Sequence, residues 1–139
     1  MWWEQRAFAL EKLAEKGITV LSHYAFQEHE RLACLIRLCA PLIQPYVRSG
    51  RLIYIFAYDR AAQPAPFNGL AGFQFGKVIG VSVEALKGKW GRDYAVGVLL
   101  HEIAHLKISG HTQEFYLHLG SLLDWYFRKT GRDLSAYSL

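Results

Sequence analysis

The residue types best suited to chemistry are concentrated in one short stretch, HEIAHLKISGH at 101–111. Successive side chains on an α-helix rotate by about 100°, so His101 and His105 would lie one above the other and could offer ring nitrogens to one cation. Glu102, one step around the helix, would act as a base toward a water molecule at that cation, as in the HExxH arrangement. This spacing predicts a catalytic metal site.

His111 is the third candidate ligand, six positions after His105. A continuing helix would point it about 120° away from the other two histidines. We expect the helix to end at Ser109-Gly110, with Gly110 in the left-handed conformation that turns the chain back toward the ion. Three neutral imidazoles leave zinc one exchangeable position, which is typical of catalytic zinc. The predicted cofactor is therefore one Zn²⁺ ion, without exclusion of other first-row metals.

The elements around this stretch predict how it is positioned. Asp93 is a predicted N-cap for a helix that begins YAVGVLLHEIAHL, and Gly131 is the predicted stop of a last helix. Further helices and strands follow from the apolar periodicity and the turn residues. The predicted helices are about 3–16, 24–39, 94–108 and 112–130, and the predicted strands are 51–58, 70–75 and 77–86. Together they predict a single α+β domain, 1–139, with a small sheet of about three strands packed on helices.

Composition limits the class of protein. An apolar fraction of 52% and a charged fraction of 20% are typical of a soluble globular domain, and no apolar run is long enough to cross a bilayer. The charged N-terminus does not resemble a secretory signal, and Cys34 and Cys39 would point in different directions on a helix. We therefore expect a cytoplasmic protein with reduced thiols and no membrane partner. The sequence predicts no particular oligomeric state.

The stretch HEIAHLKISGHTQEF resembles the zincin metallopeptidases, and within them the SprT-like and related small zinc-dependent families. Their site is an HExxH helix, a short turn with a third histidine, and then an aromatic residue that opens the next helix; Phe115 occupies that position. The resemblance covers about residues 75–127. It implies a zincin-like fold, a protein or peptide substrate, the three histidines as zinc ligands, and Glu102 as catalytic acid/base. It also suggests that a strand within 70–84 pairs with an extended substrate.

Two other families share the histidine spacing. Metzincins have it as well, but their glycine would fall at Ile108, and their methionine turn requires a methionine other than Met1. YbeY-like endoribonucleases, which mature ribosomal RNA, carry glycine where this chain has Glu102. A metal-dependent endoribonuclease is therefore the alternative enzyme. A zinc-binding or nucleic-acid-associated module with vestigial catalytic residues is the alternative of another class.

Other residues near the motif have weaker functional interpretations. His118 could act beside the ligands or stabilise an oxyanion, and Glu114 could replace the third histidine, as in gluzincins. We favour a partly buried His118 and a Glu114 that interacts with the positive end of its helix. Tyr94, Tyr116 and Tyr126 are possible oxyanion donors, with none preferred.

A basic patch precedes the metal helix. Lys87, Lys89 and Arg92 are interleaved with Trp90, and such a patch could contact nucleic acid. SprT-like families include proteases that act on DNA-bound proteins, which makes a nucleic-acid partner conceivable. The net charge of +4 is compatible with such a partner without indicating one, so an ordinary solvated connection is the favoured interpretation.

Overall fold

The computed structural model of the protein describes residues 8–13, 18–22, 26–63, 65–66, 69–88 and 93–134. Within these ranges the chain forms five α-helices and one five-stranded mixed sheet, so the fold is α+β. The strands are β1 Phe8–Leu13, β2 Ile18–Ser22, β3 Tyr54–Tyr58, β4 Gly72–Phe75 and β5 Val78–Ser82. The helices are α1 Phe26–Leu38, α2 Ala40–Arg48, α3 Val83–Leu86, α4 Tyr94–His105 and α5 Gln113–Thr130. None of the helices in these ranges is long and apolar enough to cross a bilayer.

The sheet has the strand order β1-β2-β3-β5-β4. Strands β2, β3 and β5 are parallel, whereas β1 and β4 pair antiparallel with their neighbours. The hairpin β4-β5 turns at Gly76 and Lys77, and Gly76 has a φ of 58°, as the first position of a two-residue turn requires. Strand β4 is therefore an edge strand, and no other described strand pairs with its outer side.

Strand β3 is apolar throughout because both faces of the sheet are covered there. Ile55 and Ala57 belong to the main core, which lies between the sheet and the helices. The alternate residues Phe56 and Tyr58 belong to a second cluster, with Phe73. The continuous run YIFAY thus places β3 in the middle of the sheet, where β5 pairs with it.

Helix α4, which carries His101 and His105, is largely buried. Nine of its twelve residues are buried, including Val98, Leu99 and Glu102. The residues that keep some exposure are Tyr94, His101 and His105. The apolar faces of α4 therefore fix its orientation, and that orientation leaves both histidines at the surface of one cleft.

The two helices on either side of the third histidine are tied together at their far ends. Asp93 precedes α4 as predicted, but its carboxylate does not cap the helix; both of its oxygens accept hydrogen bonds from Arg132 at 3.0 Å. Helix α5 is capped at its start by Thr112, whose hydroxyl accepts from the Phe115 amide, and at its end by Gly131 with φ 76°. The predicted limits of α5 are confirmed.

The N-terminal helix prediction is wrong over the residues that the structure describes. Residues 8–13 form β1 and pair with β2, so the sheet has two strands beyond the three predicted ones. The sequence FALEKL is rich in good helix formers, but that preference amounts to tenths of a kcal/mol per residue, and pairing with the β-branched strand ITVLS outweighs it. The rest of the predicted helix lies outside the described residues.

The second predicted helix, 24–39, corresponds to α1, and a further helix that was not predicted follows it. Helix α1 ends at Leu38, and α2 starts at Ala40 with Pro41 in its first turn and Pro45 in its interior. The break lies at Cys39, which is buried, so the pKa of its thiol is raised to about 12. Cys34 on α1 is exposed, and both thiols are free.

Candidate active site

The three histidines of the motif converge. The Nε2 atoms of His101 and His105 are 3.2 Å apart, and each lies 3.1 Å from Nε2 of His111. The first two rings share a face of α4 because they are one helical turn apart. The third reaches them from the turn that follows the helix. Three ligand atoms of the kind that bind transition metals are thus brought to one point.

This arrangement fits a zinc ion. Two nitrogens that each lie about 2.0–2.1 Å from a tetrahedral zinc are about 3.3 Å apart, close to the separations found here. The centre of a triangle with 3.1–3.2 Å edges is about 1.8 Å from its corners, so a point about 2 Å from all three nitrogens exists just above it. The three histidines can therefore hold one metal ion.

The turn after α4 also sets the protonation of one ligand. Nδ1 of His105 lies 3.0 Å from the carbonyl oxygen of Ile108, which can only accept a hydrogen bond. The proton of the neutral ring is therefore on Nδ1, and Nε2 keeps the lone pair that a metal needs. A backbone contact within the turn thus prepares His105 as a ligand.

The predicted role of Gly110 is wrong. Helix α4 ends at His105, before Ser109-Gly110, and its C-cap Leu106 is right-handed. Gly110 is not among the glycines with positive φ, and a Cβ there would meet only the Thr112 methyl, at 3.7 Å. Hydrogen bonds back to the last turn of α4 begin the reversal instead, so it does not require a glycine.

Phe115 forms the floor beneath the three imidazoles. Its ring is stacked on His105 at 4.3 Å and meets His101 and His111 edge-on at 5.0 and 5.1 Å between centroids. It is fully buried. The Thr112 hydroxyl accepts a hydrogen bond from the Phe115 amide and so fixes the first turn of α5, which carries this ring. One side chain therefore contacts ligands from both the helix and the turn.

Glu102 is a buried carboxyl group beside the histidines, 7% exposed. Burial raises its pKa to about 8 in the absence of a cation. The pKa of His101 is lowered to about 4, first by burial and then by His105 and His111. Burial is the first cause of both shifts, because a partly desolvated group is disfavoured in its charged form, whichever the sign. The lowered pKa keeps His101 neutral, which leaves a ring nitrogen free for a metal ion.

A cleft runs along β4 and α4, and the three histidines line one of its two cavities. It consists of two cavities of about 290 and 260 Å³, which share Leu70, Gly72, His101 and Glu102. Gly72 is required for the close approach of β4 to α4, since a Cβ there would lie 2.4 Å from Val98 Cγ1. The cleft is therefore bounded by the edge strand on one side and the histidine helix on the other.

The remaining candidate residues near the motif lie apart from this convergence. Glu114 is exposed in the first turn of α5 and does not join the ligand atoms, so it does not replace His111. His118 is half-buried, its pKa is lowered mainly by burial, and it lines neither cavity. Among the tyrosines, Tyr94 lines the larger cleft cavity and Tyr116 is stacked near His111 at 6.2 Å. The third, Tyr126, is buried.

The basic patch is only partly described. The ammonium group of Lys87 lies 3.7 Å from the carboxylate of Glu28, which offsets its charge. Lys89, Trp90 and Arg92 lie outside the described residues.

Arg60 is a residue of the cleft that has no recognisable signal in the sequence. It comes from a turn directly after β3, far from the motif, whereas Leu70 and Gly72 belong to the segment predicted as a strand over 70–75. The hydroxyl of Tyr58 donates to the Leu70 carbonyl, which ties the segment before β4 to β3. Only the strand pattern at 70–75 indicated this side of the cleft.

One solved structure with a similar fold is the crystal structure of a Wss1 mutant from Saccharomyces cerevisiae. The match has a TM-score of 0.55, covers 87% of this chain and 98% of that chain, and has 17% sequence identity. At this identity the likeness is one of fold. No protein-family model matches the sequence, and neither does any curated protein.

Proposed function

We propose that this chain is a zincin-like, zinc-dependent metallopeptidase with His101, His105 and His111 as ligands and Glu102 as general acid/base. The observation that carries the proposal is the convergence of three Nε2 atoms next to a buried carboxyl group in an open cleft. The fold shared with Wss1 supports it at the level of architecture.

The chemistry follows from the donor set. A zinc ion bound by three imidazoles would supply a Lewis acid for a water molecule and a substrate carbonyl. Glu102 would take a proton from the attacking water and transfer it to the departing amine. Water oxygen forms the new bond to the carbonyl carbon, and the carbon–nitrogen bond breaks. Glu102 lines both cavities, so it borders the space that the substrate would occupy.

The edge strand offers a way to hold an extended substrate. Strand β4 pairs only with β5 in the described chain, and its residues Gly72, Phe73 and Gln74 line the cleft. A peptide could add to this edge through main-chain hydrogen bonds, with its side chains in the two cavities. Strand β5 is excluded from this role, because β3 and β4 occupy both of its edges.

The test is a comparison of Glu102→Gln with Glu114→Gln. The two substitutions are chemically the same, but Glu114 is exposed and outside the convergence. With zinc-loaded protein and an unfolded polypeptide substrate, we expect Glu102→Gln to reduce kcat by about 100- to 10,000-fold. Glu114→Gln should leave it unchanged, and all three proteins should retain one zinc ion per chain.

Three results would contradict the proposed peptidase function. Cleavage that survives in Glu102→Gln would remove the proposed base. Metal-dependent cleavage of structured RNA, with no action on unfolded protein, would favour the ribonuclease instead. Zinc binding without turnover of either substrate would leave a binding module.

A further inference from the structure

The segment 69–72 forms much of one wall of the cleft. Its residues all line the larger cavity, and Leu70 and Gly72 line the smaller one as well. His101 and Glu102 line the same two cavities from α4. The position of the segment therefore defines the space next to the metal ligands and the proposed base.

The sheet ladder does not hold the first part of this segment. The pairing of β4 with β5 begins at Gly72, so Leu70 and Ala71 lie before it. Their carbonyl groups are bound instead from the ends of two other strands. The Tyr58 hydroxyl donates a hydrogen bond to the Leu70 carbonyl, and the Ser82 amide donates one to the Ala71 carbonyl at 2.8 Å. Two neighbouring carbonyls thus have one donor each.

The two donors occupy matching positions in the sheet. Tyr58 and Ser82 are the last residues of β3 and β5, and they lie opposite each other in the parallel pairing of these strands. The Ser82 donor is a backbone amide, which every residue except proline supplies. The Tyr58 donor is a side-chain hydroxyl, so this hydrogen bond depends on the residue type. The sequence therefore controls the wall of the cleft through Tyr58.

The surroundings of Tyr58 fix its ring and keep its hydroxyl a donor. The side chain is fully buried, and the centroid of its ring lies 5.1 Å from that of Phe73. Burial above all raises the pKa of Tyr58 above its ordinary value, so the hydroxyl keeps its proton. A carbonyl oxygen only accepts hydrogen bonds. Removal of the hydroxyl would thus take this donor from the Leu70 carbonyl without removing the ring.

We propose that Tyr58 is a positioning residue for substrate binding, which acts through the Leu70 carbonyl on the wall of the cleft. With the segment 69–72 already fixed beside α4, a peptide that enters the cleft does not have to order its wall, and this preorganisation favours binding. The zinc ligands come from α4 and the turn after it, so the loss of the hydroxyl should spare them. This inference rests on the proposed peptidase function.

The experiment compares zinc-loaded wild type, Tyr58→Phe and Tyr54→Phe with an unfolded polypeptide substrate. Tyr54 is the matched control: it lies on β3, packs against the same aromatic cluster, and its hydroxyl makes no hydrogen bond within the part of the chain that the structure describes. Tyr58→Phe should raise KM by about five- to tenfold, as expected for one hydrogen bond. Its kcat should change by less than about twofold, with zinc affinity unchanged. Tyr54→Phe should match wild type.

Phenylalanine retains the ring that packs against Phe73, so Tyr58→Phe should fold, and thermal unfolding verifies this. A KM equal to that of wild type would overturn the proposal. A joint loss of kcat and zinc affinity would overturn it too, because it would show that the whole site has loosened rather than one wall of the cleft.

Two further measurements need no turnover and so separate this inference from the peptidase proposal. The first is the affinity of an unfolded polypeptide for zinc-loaded Glu102→Gln, with and without Tyr58→Phe. Weaker binding without the hydroxyl supports the positioning role even if nothing is cleaved, and equal binding contradicts it even if peptides are cleaved. The second is hydrogen exchange of the Ser82 amide, which is bonded to the Ala71 carbonyl. Exchange should be faster in Tyr58→Phe than in Tyr54→Phe, and equal rates would contradict the proposal.

Discussion

Helix α4 and the turn that follows it, residues 106–112, supply ligands to the same point in different ways. On α4, two histidines are placed by helical periodicity, and the surrounding residues are buried. In the turn, His111 is exposed, and its position depends on a series of individual contacts. Regular geometry fixes two ligands at once, whereas the third has to be held by a set of backbone and side-chain hydrogen bonds.

The difference teaches where the site is rigid and where it is adjustable. Packing of α4 against β4 leaves no space for an added methyl group at Gly72, but a methyl group fits at Gly110. We therefore expect substitutions on and against α4 to affect the stability of the fold, and substitutions in the turn to affect the affinity for metal.

The largest effect is expected at Phe115, the side chain that joins the two regions. Its ring is fully buried and contacts all three imidazoles, so Phe115→Ala should lower the free energy of unfolding by about 3–5 kcal/mol and weaken zinc binding. Phe127 is the control, since it is 49% exposed on the same helix and its replacement should cost less than about 0.5 kcal/mol. Denaturant unfolding and zinc titration measure both, and equal losses would show that Phe115 has no special role.

The second effect is a pH dependence of the metal-free protein. The pKa of Glu102 is about 8 when folded and near 4.5 when unfolded, so the folded state holds the proton more tightly, and stability falls as pH rises between these values. His101, with a pKa lowered to about 4, opposes this trend up to about pH 6.5, as do His105 and His118, whose pKa values burial also lowers. Between pH 6.5 and 8 the contribution of Glu102 dominates the change in stability.

The free energy of unfolding of metal-free Glu102→Gln should therefore rise relative to that of metal-free wild type as pH rises. Between pH 4 and pH 7 the difference between the two proteins should change by about 3 kcal/mol in favour of the variant. Chemical denaturation across this range measures the gap. Parallel curves for the two proteins would show that burial of the carboxyl group does not govern its ionisation.

The third prediction compares two glycines. An alanine at position 72 would place its Cβ 2.4 Å from Val98 and 3.1 Å from the Gly80 carbonyl, so Gly72→Ala should cost about 1–3 kcal/mol of stability. Gly110→Ala should change stability by less than about 0.5 kcal/mol, because it meets only Thr112 at 3.7 Å. Thermal unfolding distinguishes them, and a costly Gly110→Ala would restore the glycine-based turn predicted from the sequence.

The smallest effect is expected at Arg51. Its guanidinium donates to the carbonyl of Leu106 at the start of the turn and lies over the Tyr46 ring. Because Arg51 is exposed, Arg51→Gln should cost only about 1 kcal/mol of stability, but it should weaken zinc binding by loosening the turn. Arg48→Gln, in the exposed end of α2, is the control. An unchanged zinc affinity in Arg51→Gln would show that the turn keeps its conformation without the Arg51 hydrogen bond.

The two regions also differ in how well the sequence predicts them. The limits of α4 near Asp93 and of α5 at Thr112 and Gly131 follow from local residue preferences. The route of the turn does not follow from such preferences, because it depends on the distant Arg51 and on backbone hydrogen bonds that leave no pattern in the sequence. The same reason explains β1, where pairing with β2 overrides helix propensity. It also explains why Arg60, which lines the cleft from a turn after β3, was not predicted.

X-ray absorption of the zinc-loaded protein tests most directly whether the three rings bind one ion. For wild type we predict a first shell of three imidazole nitrogens at about 2.0–2.1 Å with one oxygen ligand and no sulfur. For His111→Ala we predict two imidazoles and a weaker zinc affinity. A wild-type spectrum with fewer than three imidazoles, or with a thiolate from Cys34 or Cys39, would contradict the account.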